Sequence, residues 1–209
     1  MPFILPPTTH ITPPSKHPIM SHSHARDVFS YEKAAHLDTK FRRILYRPDA
    51  LAERYVKPGD RVLDFGCGPG FFTREFAKRV GEKGTVIAAD LQEEMLAIVR
   101  DKLTAEGLIS RVRTHRCKPD SLDLLPDRDG QVDVAFAIFV VHEVPDKEKL
   151  FSEIAAMLVP GGTFFYSEPP FLVPKKEFRE NLAMAERLGL RTVETRWYFV
   201  NRAAVLKKM

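Results

Sequence analysis

Two cysteines in 209 residues, Cys67 and Cys117, leave no disulfide framework to hold a small secreted domain together. They fit a reducing compartment, and the chain is expected in the cytoplasm. Long apolar runs are missing too. The longest, Val134 to Val141, falls far short of the roughly 20 residues that a membrane span needs. No membrane span is expected. No secretory leader is visible, because prolines interrupt Met1 to Met20 and leave no continuous apolar core. Charge of one sign never forms a block. The 32 basic and 28 acidic residues give a net +4 that is scattered along the chain, which permits an acidic partner without demanding one. Internal repeats are absent.

What is present suits a globular protein. With 44% hydrophobic and 29% charged residues, the chain can build one domain with a substantial core. Its first segment does not join that core. Residues 1–27 hold six of the 16 prolines and four of the seven histidines, and read as a Pro/His-rich mobile tail. His22-Ser23-His24 lies there, but two imidazoles in a tail make no dedicated metal site, and no metal is expected. Met20 is an alternative start. Residues 28–209 read as a single domain. Its N-terminal lid helices, 28–57, include helical patterns at Phe29 to Tyr31 and His36 to Leu45, and a helix from Pro48 to about Tyr55.

In the core, 58–209, strand and helix alternate. Arg61 to Phe65 is a short apolar strand, followed by a helix from about Phe71 to Val80. Thr85 to Ala89 is a second strand, ending at Asp90. A helix from about Gln92 to Glu106 carries Met95, Val99 and Leu103 on one face. Val112 to Cys117 is a third strand, and Val132 to Phe139 a fourth, apolar almost throughout as buried parallel strands are. A helix at Lys147 to Leu158 precedes Pro160-Gly161-Gly162, a turn into a fifth strand at Thr163 to Ser167. A helix at about Lys175 to Leu188 leads to two last strands, near Arg191 to Phe199 and Ala203 to Lys207. Their link is short enough only for antiparallel neighbours. The alternation implies right-handed crossovers and a parallel α/β sheet covered on both faces.

The chemistry concentrates at Asp64-Phe65-Gly66-Cys67-Gly68-Pro69-Gly70. Glycine permits positive φ and lets a ligand lie against bare backbone. Strand, glycine turn and helix in that order make a nucleotide-type cofactor site at the carboxyl edge of a parallel sheet. A dinucleotide site wants glycine at the sixth position of G-x-G-x-x-G, and here that position is Phe71. The pattern is G-x-G-x-G behind Asp64. A carboxylate pointing into the pocket would repel a pyrophosphate and suit a cofactor bearing an ammonium.

This segment resembles the first motif of the class I S-adenosylmethionine-dependent methyltransferases. Leu158-Val159-Pro160-Gly161-Gly162-Thr163 resembles their L-x-P-G-G segment before strand five. The resemblance covers roughly Pro48 to Lys208, and in style is nearest the ubiquinone/menaquinone-biosynthesis type. It implies a Rossmann-like class I methyltransferase fold. Such a sheet has seven mostly parallel strands in the order 3-2-1-4-5-7-6, strand 7 antiparallel, with helices on both faces. The implied cofactor is S-adenosylmethionine, released as S-adenosylhomocysteine. By the resemblance, Asp64, Gly66, Cys67, Gly68 and Gly70 form the cofactor loop. Asp90 anchors the ribose, Leu91 packs on adenine, Asp120 receives the adenine amino group with Ser121 assisting, and Ala137 and Ile138 line the floor near the sulfonium. Plainer readings stay open: Asp64 and Asp90 also suit helix caps, and Asp120 an ordinary loop acid.

Methyl transfer asks little of a protein. A sulfonium methyl is attacked in line, and alignment with exclusion of water supplies most of the rate. A base is needed only where the acceptor must lose a proton. His142, beside Glu143 after strand four, and Tyr31 are the candidate catalytic residues. Tyr46 is a second lid tyrosine, and Arg42-Arg43 a possible anchor for an acidic acceptor. Each also suits packing or solvent. After strand four the chain reads Val141-His142-Glu143-Val144, so the N/D-P-P-Y/F motif of adenine-N6 enzymes is missing there. Neither cysteine follows proline, as a cytosine-C5 enzyme would require. A small-molecule acceptor remains. The alternatives are an RNA or protein methyltransferase, or a non-catalytic nucleotide-binding Rossmann protein.

Overall fold

The computed structural model describes residues 44–209. The tail, His22, His24, Tyr31, Arg42, Arg43 and most of the 28–57 segment lie outside the described residues. After a helical turn at 44–46 the elements run α1 (Pro48–Tyr55), β1 (Arg61–Phe65), α2 (Thr73–Val80), β2 (Thr85–Asp90), α3 (Glu93–Ala105), β3 (Val112–Arg116), α4 (Pro126–Asp129), β4 (Val132–Ile138), α5 (Lys147–Met157), β5 (Leu158–Glu168), α6 (Lys175–Arg187), β6 (Leu190–Tyr198) and β7 (Asn201–Lys208). Short 3-10 turns lie at Ile109–Arg111 and Val141–Glu143. The last of these follows β4 directly and carries His142.

The seven strands form one sheet in the order β3-β2-β1-β4-β5-β7-β6. β3, β2, β1, β4 and β5 pair in parallel, and β7 runs antiparallel to both β5 and β6. This is the fold expected from the sequence. The fifth strand differs. It begins at Leu158, earlier than the turn at Pro160-Gly161-Gly162 had suggested. Leu158 pairs with Val132 and Thr163 with Val134, so the residues from Val159 to Gly162 bulge opposite Asp133 alone. The glycines permit the bulge. Gly161 has φ 77°, and a Cβ on Gly162 would stand 2.8 Å from the Val159 carbonyl oxygen. The turn is real, but it sits inside the ladder.

Strand periodicity sorts side chains onto two faces. Leu63, Phe65, Ile87, Ala135, Ala137, Phe164 and Tyr166 pack with α5 and α6. Val62, Val86, Ala88, Val134, Phe136, Ile138 and Phe165 pack with α1, α2 and α3. Phe76 of α2 stacks on Phe136 of β4 with ring centroids 4.2 Å apart, and both rings are fully buried. This contact fixes α2, and with it the glycine turn at its start, against the middle of the sheet. Phe136→Ala is expected to lower unfolding free energy by about 3–5 kcal/mol, measured by urea denaturation.

Candidate functional site

A cavity of about 560 Å³ opens at the carboxyl ends of the parallel strands. Its wall runs from the β1–α2 turn past the ends of β2 and β3 to the segments after β4 and β5. The chain passes from β3 on one side of β1 to β4 on the other, so the cavity lies at the switch point where α/β sheets bind ligands.

The three loop glycines do three different jobs, and all have positive φ: 68° at Gly66, 52° at Gly68 and 78° at Gly70. A Cβ on Gly66 would stand 2.3 Å from Val140 Cγ2, so this glycine is a packing site for the segment after β4. A Cβ on Gly70 would stand 3.1 Å from Val99 Cγ2, against α3. A Cβ on Gly68 would meet nothing within 4 Å, and Gly68 faces the cavity. Of the three, Gly68 offers a ligand bare backbone beside empty space. Gly66 and Cys67 also line the cavity; Gly70 does not.

The two acids differ as well. Asp90 lines the cavity. Its Oδ2 accepts the backbone N–H of Gly68 at 2.8 Å, and its Oδ1 that of Gln92 at 2.9 Å. One carboxylate thus ties the glycine loop to the end of β2 and the start of α3. Burial pushes its pKa up, against the pull of those N–H groups. Asp64 is not on the cavity wall. Alternation places it on the face of Val62, under α2, where Thr73 Oγ1 donates to its Oδ2 at 2.6 Å. It is 2% exposed, and burial, with Asp90 nearby adding to it, pushes its carboxyl up to about 7. The expectation that Asp64 points into the pocket gives way to this: it buttresses the first turn of α2 from below.

Leu91, Asp120, Ser121 and Ile138 line the cavity. Ala137 does not, because it falls on the other sheet face, fully buried against α5 and α6. Asp120 is a surface acid whose side chain is 73% exposed and 3.5 Å from Lys149 Nζ. Ser121 donates its hydroxyl to Glu153 Oε1 at 2.7 Å, and Glu153 Oε2 accepts the N–H of Leu122 at 2.6 Å. Glu153 shapes this wall and was missed in the sequence. Its signal was an acid beside Ile154 on the apolar side of α5. Cys67 and Cys117 both face the cavity, and burial pushes both thiols up, Cys117 to about 12, so they are uncharged there at neutral pH.

The end of the cavity past β4 carries several large apolar side chains. Phe139, with φ 63°, is a non-glycine residue in left-handed conformation on the wall, a strained geometry that clusters at functional sites. Tyr46 packs on it, ring centroids 5.4 Å apart, and gives its carbonyl to the Tyr198 hydroxyl. Phe171, 79% exposed, stands at the rim after β5. His142 lines the cavity among these groups. Among the described residues, no cluster of three or more His, Cys, Asp or Glu could hold a metal ion.

Sheet order, reversed last strand and glycine turn together define a class I methyltransferase fold. Residues 62–162 match the methyltransferase domain family. The chain is similar to the ubiquinone/menaquinone biosynthesis C-methyltransferase UbiE of Vibrio vulnificus, 37% identical over 119 residues that cover 56% of this chain and 45% of the relative. The UbiE of Hydrogenovibrio crunogenus is 36% identical over 124 residues, 59% of this chain and 48% of the relative. The chain spans about half the length of these curated relatives. Among solved structures it resembles a SAM dependent methyltransferase from Aquifex aeolicus, with TM-score 0.77 and 27% identity over 87% of this chain and all of the other. The [4+2]-cyclase SpnF also superposes, with TM-score 0.63 and 18% identity over 78% of this chain and 80% of that one, which shows the fold alone. A shared sheet does not fix the chemistry, so the residues must carry it.

Two predictions separate the roles of the loop residues. Gly68→Ala is expected to cost about 1–2 kcal/mol, the strain of a left-handed alanine. Gly66→Ala is expected to cost about 3 kcal/mol or more, since it adds overlap with Val140; denaturant titration of both checks this. Asp64 has a carboxyl raised in the folded state, so its contribution to stability is present below about pH 4 and lost as pH rises through about 7. Asp64→Asn is therefore expected to be more stable than the parent at pH 8, by up to about 4 kcal/mol, and to lose that advantage at pH 4. Melting curves of both proteins across that range test the sign.

Proposed function

We propose that the protein transfers a methyl group from S-adenosylmethionine to a small-molecule acceptor by in-line displacement. The observation that carries this is Asp90, fixed by the N–H groups of Gly68 and Gln92 beside the bare backbone of Gly68. A buried carboxylate at the end of β2, 20 residues beyond the last loop glycine, suits a pair of ribose hydroxyls. In this reading Gly66, Cys67 and Gly68 hold the methionine end. Leu91 and Met95 pack on the adenine, Ser121 and Leu122 close its edge, and Ile138 with Phe139 floors the sulfonium. Asp64 acts on the cofactor through the buried base of the loop, and Gly70 and Ala137 through packing. Bound there, the cofactor supplies an electrophilic methyl on a cationic sulfur. The protein supplies alignment, a dry cavity and aromatic faces that tolerate positive charge.

The apolar wall supports a small, largely apolar acceptor, as does the likeness to two enzymes named for quinone biosynthesis. An RNA or protein acceptor is the weaker reading, since the net +4 is scattered along the chain rather than gathered in a block. No helix of the described residues is long and apolar enough to cross a membrane. The free, buried thiols of Cys67 and Cys117 support a cytoplasmic setting.

Thermal unfolding with added ligand tests the assignment. S-adenosylhomocysteine at about 100 times its Kd is expected to raise the melting temperature by roughly 5–10 °C. Asp90→Ala is expected to lose most of that shift. Stabilisation by NAD in place of S-adenosylhomocysteine would move the protein to the nucleotide-binding alternative.

A further inference from the structure

β4 and β5 lie side by side, and their carboxyl ends bring together a pair that is far apart in the chain, His142 and Glu168. Glu168 is fully buried. Its Oε2 lies 2.7 Å from His142 Nδ1, and its Oε1 accepts the backbone N–H of His142 at 3.1 Å. Both oxygens of one buried carboxylate are thus given to one residue. Isolating a carboxylate from water is costly, and a plain packing role would be met by a neutral side chain. Here the carboxylate faces an imidazole whose own side chain is 8% exposed and lines the cavity. An ionised carboxylate only accepts hydrogen bonds, so Nδ1 must carry the ring proton of neutral His142. The lone pair then sits on Nε2, which lies 3.8 Å from Glu143 Oε1.

The geometry points to His142 as a proton-accepting catalytic residue and to Glu168 as the positioning residue that fixes its tautomer and stabilises the imidazolium, for an acceptor that is an apolar ring bearing a hydroxyl. This rests on the methyltransferase reading above. In the step, the acceptor oxygen forms a bond to the methyl carbon, and the carbon–sulfur bond breaks with its electron pair passing to sulfur as a neutral thioether. The hydroxyl proton moves to His142 Nε2 and leaves later to water. Phe139, Val144 and Leu172, which line the same cavity, suit the ring.

The first readout needs no turnover. In the S-adenosylhomocysteine complex, nitrogen-15 NMR of the His142 ring is expected to show protonated Nδ1 and bare Nε2 at neutral pH. A proton on Nε2 would overturn the proposal. The second uses 1-naphthol, whose hydroxyl must lose a proton, and thiophenol, largely ionised in mildly basic buffer. His142→Ala is expected to slow transfer to 1-naphthol by 10²-fold or more and to thiophenol by less than tenfold, with free imidazole restoring part of the loss. Glu168→Gln is expected to lower kcat for 1-naphthol by 10–100-fold with KM little changed. Equal losses for both acceptors, or no transfer to 1-naphthol by a protein that S-adenosylhomocysteine still stabilises, would overturn it. Loss of that stabilisation in the parent protein would instead overturn the methyltransferase reading itself.

Discussion

The backbone of the β1–α2 turn is the constraint on which the site depends. Positive φ at Gly66, Gly68 and Gly70 lets the seven residues from Gly66 to Phe72 turn the chain from a buried strand into α2. Around that turn the neighbouring elements are fixed in succession. Asp90 binds it to β2 from the side, and Phe76 stacked on Phe136 ties the helix beyond it to the centre of the sheet. Had Gly68 been an ordinary L-residue, the strain would fall on the bare backbone that faces the cavity.

Charge is placed unevenly along the cavity. At the β1 and β2 ends are two acids, one on the wall and one beneath it, each with its carboxyl raised by burial. At the β3 end Glu153 is spent on holding the loop that follows. Past β4 the wall combines Ile138, Phe139, Val144, Phe171 and Leu172 with His142, Glu143 and Asp146. A ligand with a cationic end fits acids at the glycine turn. An anionic pyrophosphate beside the glycine turn does not.

Much of this was legible in the residues. Strand length, apolar alternation and the Gly-Pro punctuation marked β1 and β2 closely, because each carries its own pattern and has an acid as its last or next-to-last residue. The Leu158–Gly162 segment was harder. A Pro-Gly-Gly run reads as a turn, and only the pairing of Leu158 with Val132 shows that the ladder continues on both sides of it. Four-residue α4 carries too little periodicity to announce itself. Within the site, Asp64 and Ala137 read as lining the pocket since they lie near the carboxyl ends of β1 and β4. Which sheet face they occupy follows from parity, and parity puts one under α2 and the other against α5 and α6. The pairing of His142 with Glu168 depends on strand adjacency, which neither residue displays in the chain.

Gly66 and Val140 have a consequence beyond packing. The branched side chain of Val140 occupies the place where Gly66 would carry a Cβ, two residues before His142. The side of the cavity built by the β1–α2 turn and the side built by the segment after β4 are therefore keyed into each other like tongue and groove. Any change of size at Val140 must therefore be matched by the turn it fills.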